Sequence, residues 1–522
     1  MYNTKDVISF TLLRIFKHRI VLFLLFSLFY FSILPFYYNV FLTFGCFDDC
    51  FNYLGGYFML KDKILFSEVF YNHQPFMAYI SYFIQLVTDP AGIYQLVQYH
   101  RLFTYALSFV LGSFLILRFG YIGFGFLLFY EPTKYYLFGD RFLAEGIIVY
   151  LLVYLLGIVF MGFFKQKPSR GDLFLSVVFT WIVVYMREPY IPLVIILFGT
   201  VVFFAPSWRH RLVSSGALIF LSVLPLFFLP FSDYWFNVVY INQVVSLGEQ
   251  SFSLFSPLII FIYPLYSLFF SQITFFGSIL VWLSLLFVIA LFLFSYTSKR
   301  YGLVFYLIFI LGLSNLRYTE PGLMFYQSFH MLVWYGLFLM ALFLLVSQLL
   351  RYKTFVRFSL LFLCILGIGI FSPQSFFWET HNKQEDFVTN FGQYVSSGEV
   401  VRMLADNEST LFLDGFDDLI YYQSGILSDY KYTWFTSVMP AFDVYMEERD
   451  QMFATSPPDF YYGECGYRDD SLRLPSHLTD SYTRFYFADK PTCLHIFKEH
   501  IPEISDEQFT SLQNIGFYLQ DV

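Results

Sequence analysis

Two adjacent carboxylates, Asp48 and Asp49, directly follow the first long apolar segment of the chain. The polar stretch that they open continues as far as His73. Most loop acids in proteins are solvated surface charges, and this is the first of two interpretations of Asp48 and Asp49. A carboxylate held at a membrane surface is partly desolvated, however, which raises its pKa toward the operating pH and lets it act as a general base. The pair therefore predicts either a solvated loop or a proton acceptor at the membrane surface.

The elements that must hold these acids are membrane helices. Of the 522 residues, 57% are hydrophobic and only 13% are charged, whereas a soluble domain carries about 25% charged residues. A helix needs roughly 20 apolar residues to cross about 30 Å of hydrocarbon. The composition therefore predicts a mainly α, polytopic membrane protein. Runs of this kind predict about eleven membrane-spanning helices, near residues 18–38, 99–119, 121–138, 142–164, 171–186, 189–206, 211–231, 275–297, 301–316, 324–349 and 355–372.

Basic residues predict the orientation, because Lys and Arg are retained in cytoplasmic loops. Every second predicted loop carries a basic cluster, and these clusters lie at residues 17–19, 118, 165–170, 209–211, 299–300 and 351–357. The alternation holds only if the Pro-containing segment 252–272 lies at the interface without crossing the membrane. The N-terminus is then expected in the cytoplasm, with the first helix retained as an uncleaved anchor.

Composition changes abruptly after Phe371. Residues 374–522 hold 25 acids and 9 bases, whereas the part before them holds 14 acids and 22 bases. We therefore predict a membrane domain over residues 1–373 and an acidic soluble domain over residues 374–522, located outside the cytoplasm. Its short mixed segments, including a strand-like run at 411–413, predict a small α/β domain. Its acidity disfavours a nucleic-acid partner.

The first outer loop has two amphipathic stretches, over residues 52–60 and 75–88, which predict short helices lying at the membrane interface. Such helices would hold the two acids at the level of the lipid headgroups. The five cysteines show no zinc-binding spacing. They are either unpaired, or Cys465 and Cys493 form a disulfide in an oxidising compartment.

The segment that begins at the acids resembles the first outer loop of the GT-C superfamily of glycosyltransferases. Tyr53 stands four residues after Asp49, and an amphipathic stretch leads to the motif HQP, which begins at His73. The resemblance is to the branch that contains protein O-mannosyltransferases and the aminoarabinose transferases of lipid A, whose loop reads Asp-Glu-x-x-Tyr. Cys50 stands here in place of the Glu. The resemblance implies that Asp49 is the base, or Asp48 if the two acids are aligned as the acidic pair.

Further motifs similar to those of the superfamily follow in order along the chain. They are GDRFLAEG with Asp140 and Glu145, MREPY with Arg187 and Glu188, and RYTEPGLMFYQSFH with Arg317 and His330. A guanidinium matches phosphate oxygens in a bidentate way. The resemblance accordingly assigns binding of the donor phosphate to Arg187, Arg317 and His330. It assigns binding of the acceptor or sugar to Tyr53, His73, Asp140, Glu145 and Glu188.

The resemblance implies an inverting membrane glycosyltransferase of a prokaryotic plasma membrane. Its donor would be a sugar on a polyprenyl phosphate (dolichyl or undecaprenyl), and its acceptor an extracytoplasmic glycolipid, polysaccharide or protein. No cofactor is assigned, and a divalent metal ion stays open. The alternatives are a transporter or flippase of lipid-linked sugars, and a non-catalytic scaffold for surface-glycan assembly. Transporters place ionisable groups in mid-helix and often contain a repeat, and no repeat is visible in the sequence.

Overall fold

The computed structural model describes residues 4–46, 48–244, 274–315, 328–350, 382–415, 419–436, 438–463 and 473–519. These residues are mostly helical, with a small sheet near the C-terminus. The helices that precede residue 351 are α1 (Thr4–Val40), α2 (Asp48–Leu60), α3 (Phe76–Thr88), α4 (Ile93–Phe119), α5 (Tyr121–Thr133), α6 (Ala144–Phe163), α7 (Arg170–Met186), α8 (Ile191–Phe203), α9 (Trp208–Val223), α10 (Phe231–Tyr234), α11 (Thr274–Ser298), α12 (Tyr301–Leu313) and α13 (Leu332–Leu349).

Several of these helices are long and apolar enough to cross a membrane, as expected of a membrane protein. Within the described ranges there are five such segments: His18–Val40, Ile93–Phe119, Ala144–Phe163, Trp208–Phe227 and Ser328–Leu349. Shorter apolar helices cover Phe76–Thr88, Glu188–Phe203, Trp282–Ser298 and Tyr301–Leu313. The count of eleven spans therefore stays a prediction. The predicted span 355–372 and the predicted interfacial segment 252–272 lie outside the described residues.

Helices α6 and α13 form the centre of the bundle. The apolar windows of these two spans are 89% and 94% buried, whereas that of the span beginning at Trp208 is only 11% buried. Gly336 of α13 permits the close approach, because a Cβ there would lie 2.4 Å from Val149 Cγ1 of α6. Small residues at helix contacts serve this purpose in membranes, where van der Waals packing drives association. The long apolar run of each central helix is thus buried within the protein, away from lipid.

The first outer loop contains the two helices that its sequence predicts, α2 and α3. They pack on each other because α2 carries two adjacent glycines, and a Cβ at Gly56 would lie 2.5 Å from the Tyr82 nitrogen of α3. Most of α2 is buried, including Asp49, Tyr53 and Phe58. Helix α2 is therefore largely enclosed by protein, and its position at the level of the membrane interface stays a prediction.

The C-terminal part is a small α/β domain, as the sequence predicts. Its helices are α14 (Lys383–Leu404), α15 (Leu419–Ser424), α16 (Asp443–Thr455) and α17 (Asp506–Asn514), and its strands are β1 (Leu411–Leu413), β2 (Phe460–Tyr462), β3 (Tyr482–Phe487), β4 (Lys490–Phe497) and β5 (Phe517–Leu519). The sheet order is β1-β2-β4-β3-β5. Strands β1 and β2 are parallel, and the other pairs are antiparallel. The predicted strand at 411–413 is confirmed, whereas the boundary at 373/374 lies outside the described residues.

This domain covers α2. Trp434 is fully buried between Phe51 and Phe58, with ring centroids 5.0 and 4.9 Å away. The Tyr57 hydroxyl donates to the Tyr421 carbonyl at 3.3 Å. Further hydrogen bonds join Asn390 to the Leu42 carbonyl, Thr433 to the Glu68 carbonyl and Tyr445 to Asn237. The first outer loop is therefore held between the helix bundle and the C-terminal domain.

Candidate functional site

Ionisable side chains from four separate elements meet beside the first residue of α2. Asp48 begins α2, Glu145 is the second residue of α6, and Arg187 directly follows α7. Carboxylates at the first turn of a helix are favoured by its positive end. Helix α7 ends before Arg187 because Pro189 cannot donate the hydrogen bond that would continue it. Together with His73 and Glu188, these residues form what we call the outer cluster.

Arg187 is the centre of the outer cluster. Its Nη2 donates to Asp48 Oδ2 at 2.9 Å, and its Nε donates to Glu145 Oε1 at 3.1 Å. Burial alone would lower the pKa of Arg187, but the carboxylates of Glu145, Glu188 and Asp48 raise it above its ordinary value. The guanidinium is therefore a permanent cation. A guanidinium has five N–H donors, and Nη1 donates to no described atom, so the group retains donors for an anionic ligand.

Asp48 and Glu188 are the partly exposed carboxylates of the outer cluster. The Asp48 side chain is 34% exposed, against 4% for Arg187 and 1% for Glu145. His73 Nε2 lies 3.5 Å from the same Asp48 oxygen that Arg187 contacts. The imidazole packs edge-on against the stacked rings of Phe51 and Tyr71, at centroid distances of 5.2 and 5.8 Å. Asp48 is thus a partly exposed carboxylate that contacts both Arg187 and His73.

Asp49 belongs to a second group, which we call the buried cluster and which contains Asp49, Tyr53, Arg101, Asp140 and Arg141. Arg101 Nη2 of α4 donates to Asp49 Oδ2 at 2.9 Å, and the Tyr53 hydroxyl donates to the same oxygen at 3.0 Å. Neither Asp49 nor Arg101 has any exposed side-chain surface. Burial and the Asp49 carboxylate raise the pKa of Tyr53, so its hydroxyl keeps its proton and donates. Asp49 is therefore fully occupied within the protein.

Arg141 connects the buried cluster to the segment that carries both acids. It donates to the carbonyls of Gly45 and Thr43 at 2.8 and 3.0 Å, and it lies 4.0 Å from Asp49 Oδ2. Burial, together with the nearby Arg101, lowers the pKa of Arg141 to about 10. Burial also raises the pKa of Asp140, although Arg141 and Arg101 oppose that rise. The two arginines thus fix the chain just before α2, and with it the position of Asp48.

A disulfide between Cys46 and Cys50 brackets the acidic pair. The interpretation of these two cysteines as unpaired is therefore wrong; only three residues lie between them. Cys493 is also disulfide-bonded, whereas Cys465 lies outside the described residues. The disulfide links the two ends of the segment 46–50, and Arg141 of the buried cluster holds the residues just before it.

The structure separates the predicted site residues into these two groups. Asp48, His73, Glu145, Arg187 and Glu188 come together in the outer cluster, whereas Asp49, Tyr53 and Asp140 lie in the buried cluster. His330 is buried in a 3-10 turn, Ser328–Met331, and its carbonyl accepts a hydrogen bond from Tyr190 at 3.4 Å. Arg317 lies outside the described residues. The described residues contain no group of three or more His, Cys, Asp or Glu that could hold a metal ion.

Sequence reasoning missed two buried charged pairs inside the bundle. Arg101 pairs with Asp49, and Lys134 Nζ lies 2.7 Å from Glu131 Oε2. Lys134 also donates to Ser108 and Tyr150 at 3.0 Å each. Charged residues within apolar runs are costly in a membrane and almost always face a partner inside the protein. Two sequence features could have indicated these buried pairs. One is Arg101 within the apolar run 99–119, and the other is the i, i+3 spacing of Glu131 and Lys134.

Comparison with protein-family models, curated proteins and solved structures finds no match for this chain. The geometry of the two clusters is therefore the basis on which a function can be proposed. That geometry places a partly exposed carboxylate, Asp48, beside a buried guanidinium, Arg187, whose Nη1 donates to no described atom.

Proposed function

We propose that the chain is a membrane glycosyltransferase of the GT-C type, which transfers a sugar from a polyprenyl-phosphate donor to an extracytoplasmic acceptor. The observation that carries this proposal is the position of the half-exposed Asp48, held by the buried Arg187 and beside His73. The proposed proton acceptor, Asp48, and the proposed anion-binding cation, Arg187, are then hydrogen-bonded to each other at 2.9 Å. Transfer from a lipid phosphate needs both of these groups.

Asp48 is the proposed general base. Its carboxylate accepts the proton of the acceptor hydroxyl while that oxygen forms a bond to the anomeric carbon of the sugar. The bond between the anomeric carbon and the phosphate oxygen breaks on the opposite face, and the lipid phosphate leaves with the electron pair, which inverts the configuration. A positioned general base contributes roughly 10²–10⁴-fold to such a rate. Burial and pairing with Arg101 make Asp49, the base first favoured from sequence, the less suitable group.

Arg187 is the proposed ligand of the leaving phosphate. The donors that remain after its bonds to Asp48 and Glu145 would meet phosphate oxygens, where preorganised positive charge stabilises the developing anion. Glu145 fixes the guanidinium plane through Nε. Arg317 and His330 would complete the phosphate site, and Glu188 and His73 would face the sugar or acceptor. The buried cluster would take no part in the chemistry and would position Asp48.

The alternatives differ in what happens to the glycosidic bond. A flippase or transporter would move the lipid-linked sugar intact, and a scaffold would leave it unchanged. The feature that a transporter would use, an ion pair inside the bundle, is present as Glu131 and Lys134. Both side chains are at most 1% exposed and contact each other directly, which favours a structural role. No observation thus favours transport over transfer.

Mass spectrometry of surface glycans and lipid-linked sugars tests this proposal. A strain that lacks the gene should lose one glycan modification and accumulate its polyprenyl-phosphate sugar, and the wild-type gene should reverse both effects. Asp48→Asn should behave as the deletion does. Asp62→Asn is the matched control, because Asp62 is an exposed acid of the same outer loop and should complement fully. Full complementation by Asp48→Asn would contradict the proposal.

A further inference from the structure

A cleft with a basic end lies between α7 and α9, far from both clusters. Its volume is about 440 Å³, within the range of about 300–1,000 Å³ typical of ligand pockets. Arg170, Arg209 and His210 line one end of it. The remaining wall is apolar and includes Leu173, Val177, Ala217 and Leu221. The cleft therefore combines a cationic end with a hydrocarbon-like wall.

The basic end arises from the way in which the two helices begin. Ser169 caps α7 and Ser207 caps α9, so Arg170 is the first residue of one helix and Arg209 the second residue of the other. The acid of this region, Asp172, is already bound by Arg118, with hydrogen bonds of 2.6 and 3.0 Å. Within the part of the chain that the structure describes, neither Arg170 nor Arg209 takes part in an ion pair. Arg170 and Arg209 are thus two cations without a carboxylate partner among the described residues, and both line the same end of the cleft.

One wall of the cleft belongs to a largely exposed apolar helix. Helix α9 lies at the edge of the bundle, and its apolar side chains Val213, Ile219 and Phe220 are 64–71% exposed. Exposed apolar surface on a membrane-spanning helix faces acyl chains. A molecule that enters this cleft must therefore carry a negative group at the level of the headgroups and an apolar tail at the level of the hydrocarbon.

We propose that the cleft between α7 and α9 binds one anionic glycerophospholipid. Its phosphate lies between Arg170, Arg209 and His210, and one acyl chain lies along Leu173, Val177 and Ala217. Charge complementarity selects a lipid with net negative charge over a zwitterionic one, whose own cation would be repelled by the two arginines. Basic pockets between membrane helices recognise anionic headgroups on this principle.

This site is separate from the proposed catalytic site. Arg170 begins α7 and Arg187 directly follows its end, so the 17 residues of the helix separate them. At 1.5 Å per residue, that length is about 25 Å. The lipid would thus be bound at the opposite end of α7 from the outer cluster, and its binding does not depend on whether the chain transfers a sugar.

Native mass spectrometry of the purified full-length protein tests the lipid site. The protein in detergent is titrated with dioleoyl phosphatidylglycerol or with dioleoyl phosphatidylcholine, so that only the headgroup differs. An arginine that contacts the lipid phosphate contributes about a factor of five to the binding of an anionic lipid. The variant Arg170→Gln/Arg209→Gln should therefore bind phosphatidylglycerol roughly 30-fold more weakly. Lys165→Gln/Lys167→Gln is the matched control, since both lysines are exposed, lie on the same connection and do not line the cleft.

A third variant separates the acyl chain from the headgroup. Ala217→Phe narrows the cleft without changing its charge, and it should also weaken phosphatidylglycerol binding. Equal retention of both lipids by the wild type would overturn the proposal, as would equal binding by the two double variants. Unchanged binding by Ala217→Phe would overturn the placement of the acyl chain and leave only a surface contact of the headgroup.

Discussion

The buried pair of Asp49 and Arg101 should be a determinant of stability, and the substitution Asp49→Asn tests this role. Asn keeps the size of the side chain and can still accept from Tyr53, but it leaves the Arg101 guanidinium without its counter-charge. Neither side chain is exposed, so water cannot replace the lost partner. Removal of one member of a buried ion pair costs about 3–5 kcal/mol, and we expect a loss of that size in the free energy of unfolding.

The matched comparison is Asp48→Asn, one residue earlier. Asp48 is 34% exposed, and its partner Arg187 retains Glu145. Because Arg187 keeps this second carboxylate, the loss should be smaller than in Asp49→Asn. A double variant, Asp49→Asn/Arg101→Met, removes both charges and should be less destabilised than Asp49→Asn alone, because replacement of a whole buried pair is often neutral.

Unfolding by sodium dodecyl sulfate in mixed micelles, followed by tryptophan fluorescence, measures these differences. Trp434 packs against Phe51 and Phe58 of α2 and thus reports on the region directly. If Asp49→Asn unfolds at the wild-type detergent fraction, or if Asp48→Asn is the more destabilised of the two, the assignment of Asp49 to a structural cluster is refuted.

Three further predictions concern the C-terminal domain, the phosphate ligand and the disulfide. Burial and Arg484 lower the pKa of His495 to about 4 in the folded protein, whereas the same imidazole in the unfolded chain takes up a proton below about pH 6.5. The free energy of unfolding should therefore fall by about 3 kcal/mol between pH 6.5 and 4. Thermal unfolding followed as a function of pH should show less of this loss in His495→Gln. Arg187→Lys should keep the charge but lose the bidentate geometry, so binding of polyprenyl phosphate, measured by native mass spectrometry, should fall, though less than it does in Arg187→Ala. Wild-type binding by Arg187→Lys would contradict a bidentate contact, and wild-type binding by Arg187→Ala would contradict any contact of Arg187 with the phosphate. Cys46→Ser/Cys50→Ser opens a short loop, so it should cost about 2 kcal/mol in the same detergent titration, and an unchanged midpoint would show that the disulfide contributes nothing.

Local features of the fold could be predicted from the sequence because they depend on local patterns. Helix α3 follows Pro75 and has an amphipathic period, and β1 is a short apolar run between polar residues. Both are found where their patterns place them. Asp48, Arg187 and Glu145, to which the resemblance assigned three different roles, are joined in the fold by hydrogen bonds from Arg187 to both carboxylates.

The parts that could not be predicted depend on contacts between distant segments. Nothing in the sequence around Asp49 indicates that Arg101 of α4 reaches it, so the spacing to Tyr53 favoured Asp49 as the base. That spacing has another cause here, since residues four apart on α2 lie on one face and the Tyr53 hydroxyl reaches Asp49. Similarly, the amphipathic pattern of α2 does not reveal that Trp434 of the C-terminal domain covers it. A periodic pattern identifies the buried face of a helix but not the partner that buries it.

The most direct test of the central claim is turnover by the purified protein with a polyprenyl-phosphate sugar as donor, after the acceptor has been identified from the glycans of the deletion strain. Asp48→Asn preserves the shape of the side chain but cannot accept the acceptor proton. Turnover should therefore fall by about 10²-fold or more, while native mass spectrometry shows unchanged binding of polyprenyl phosphate. Wild-type turnover in Asp48→Asn, with Asp62→Asn as control, would contradict the account.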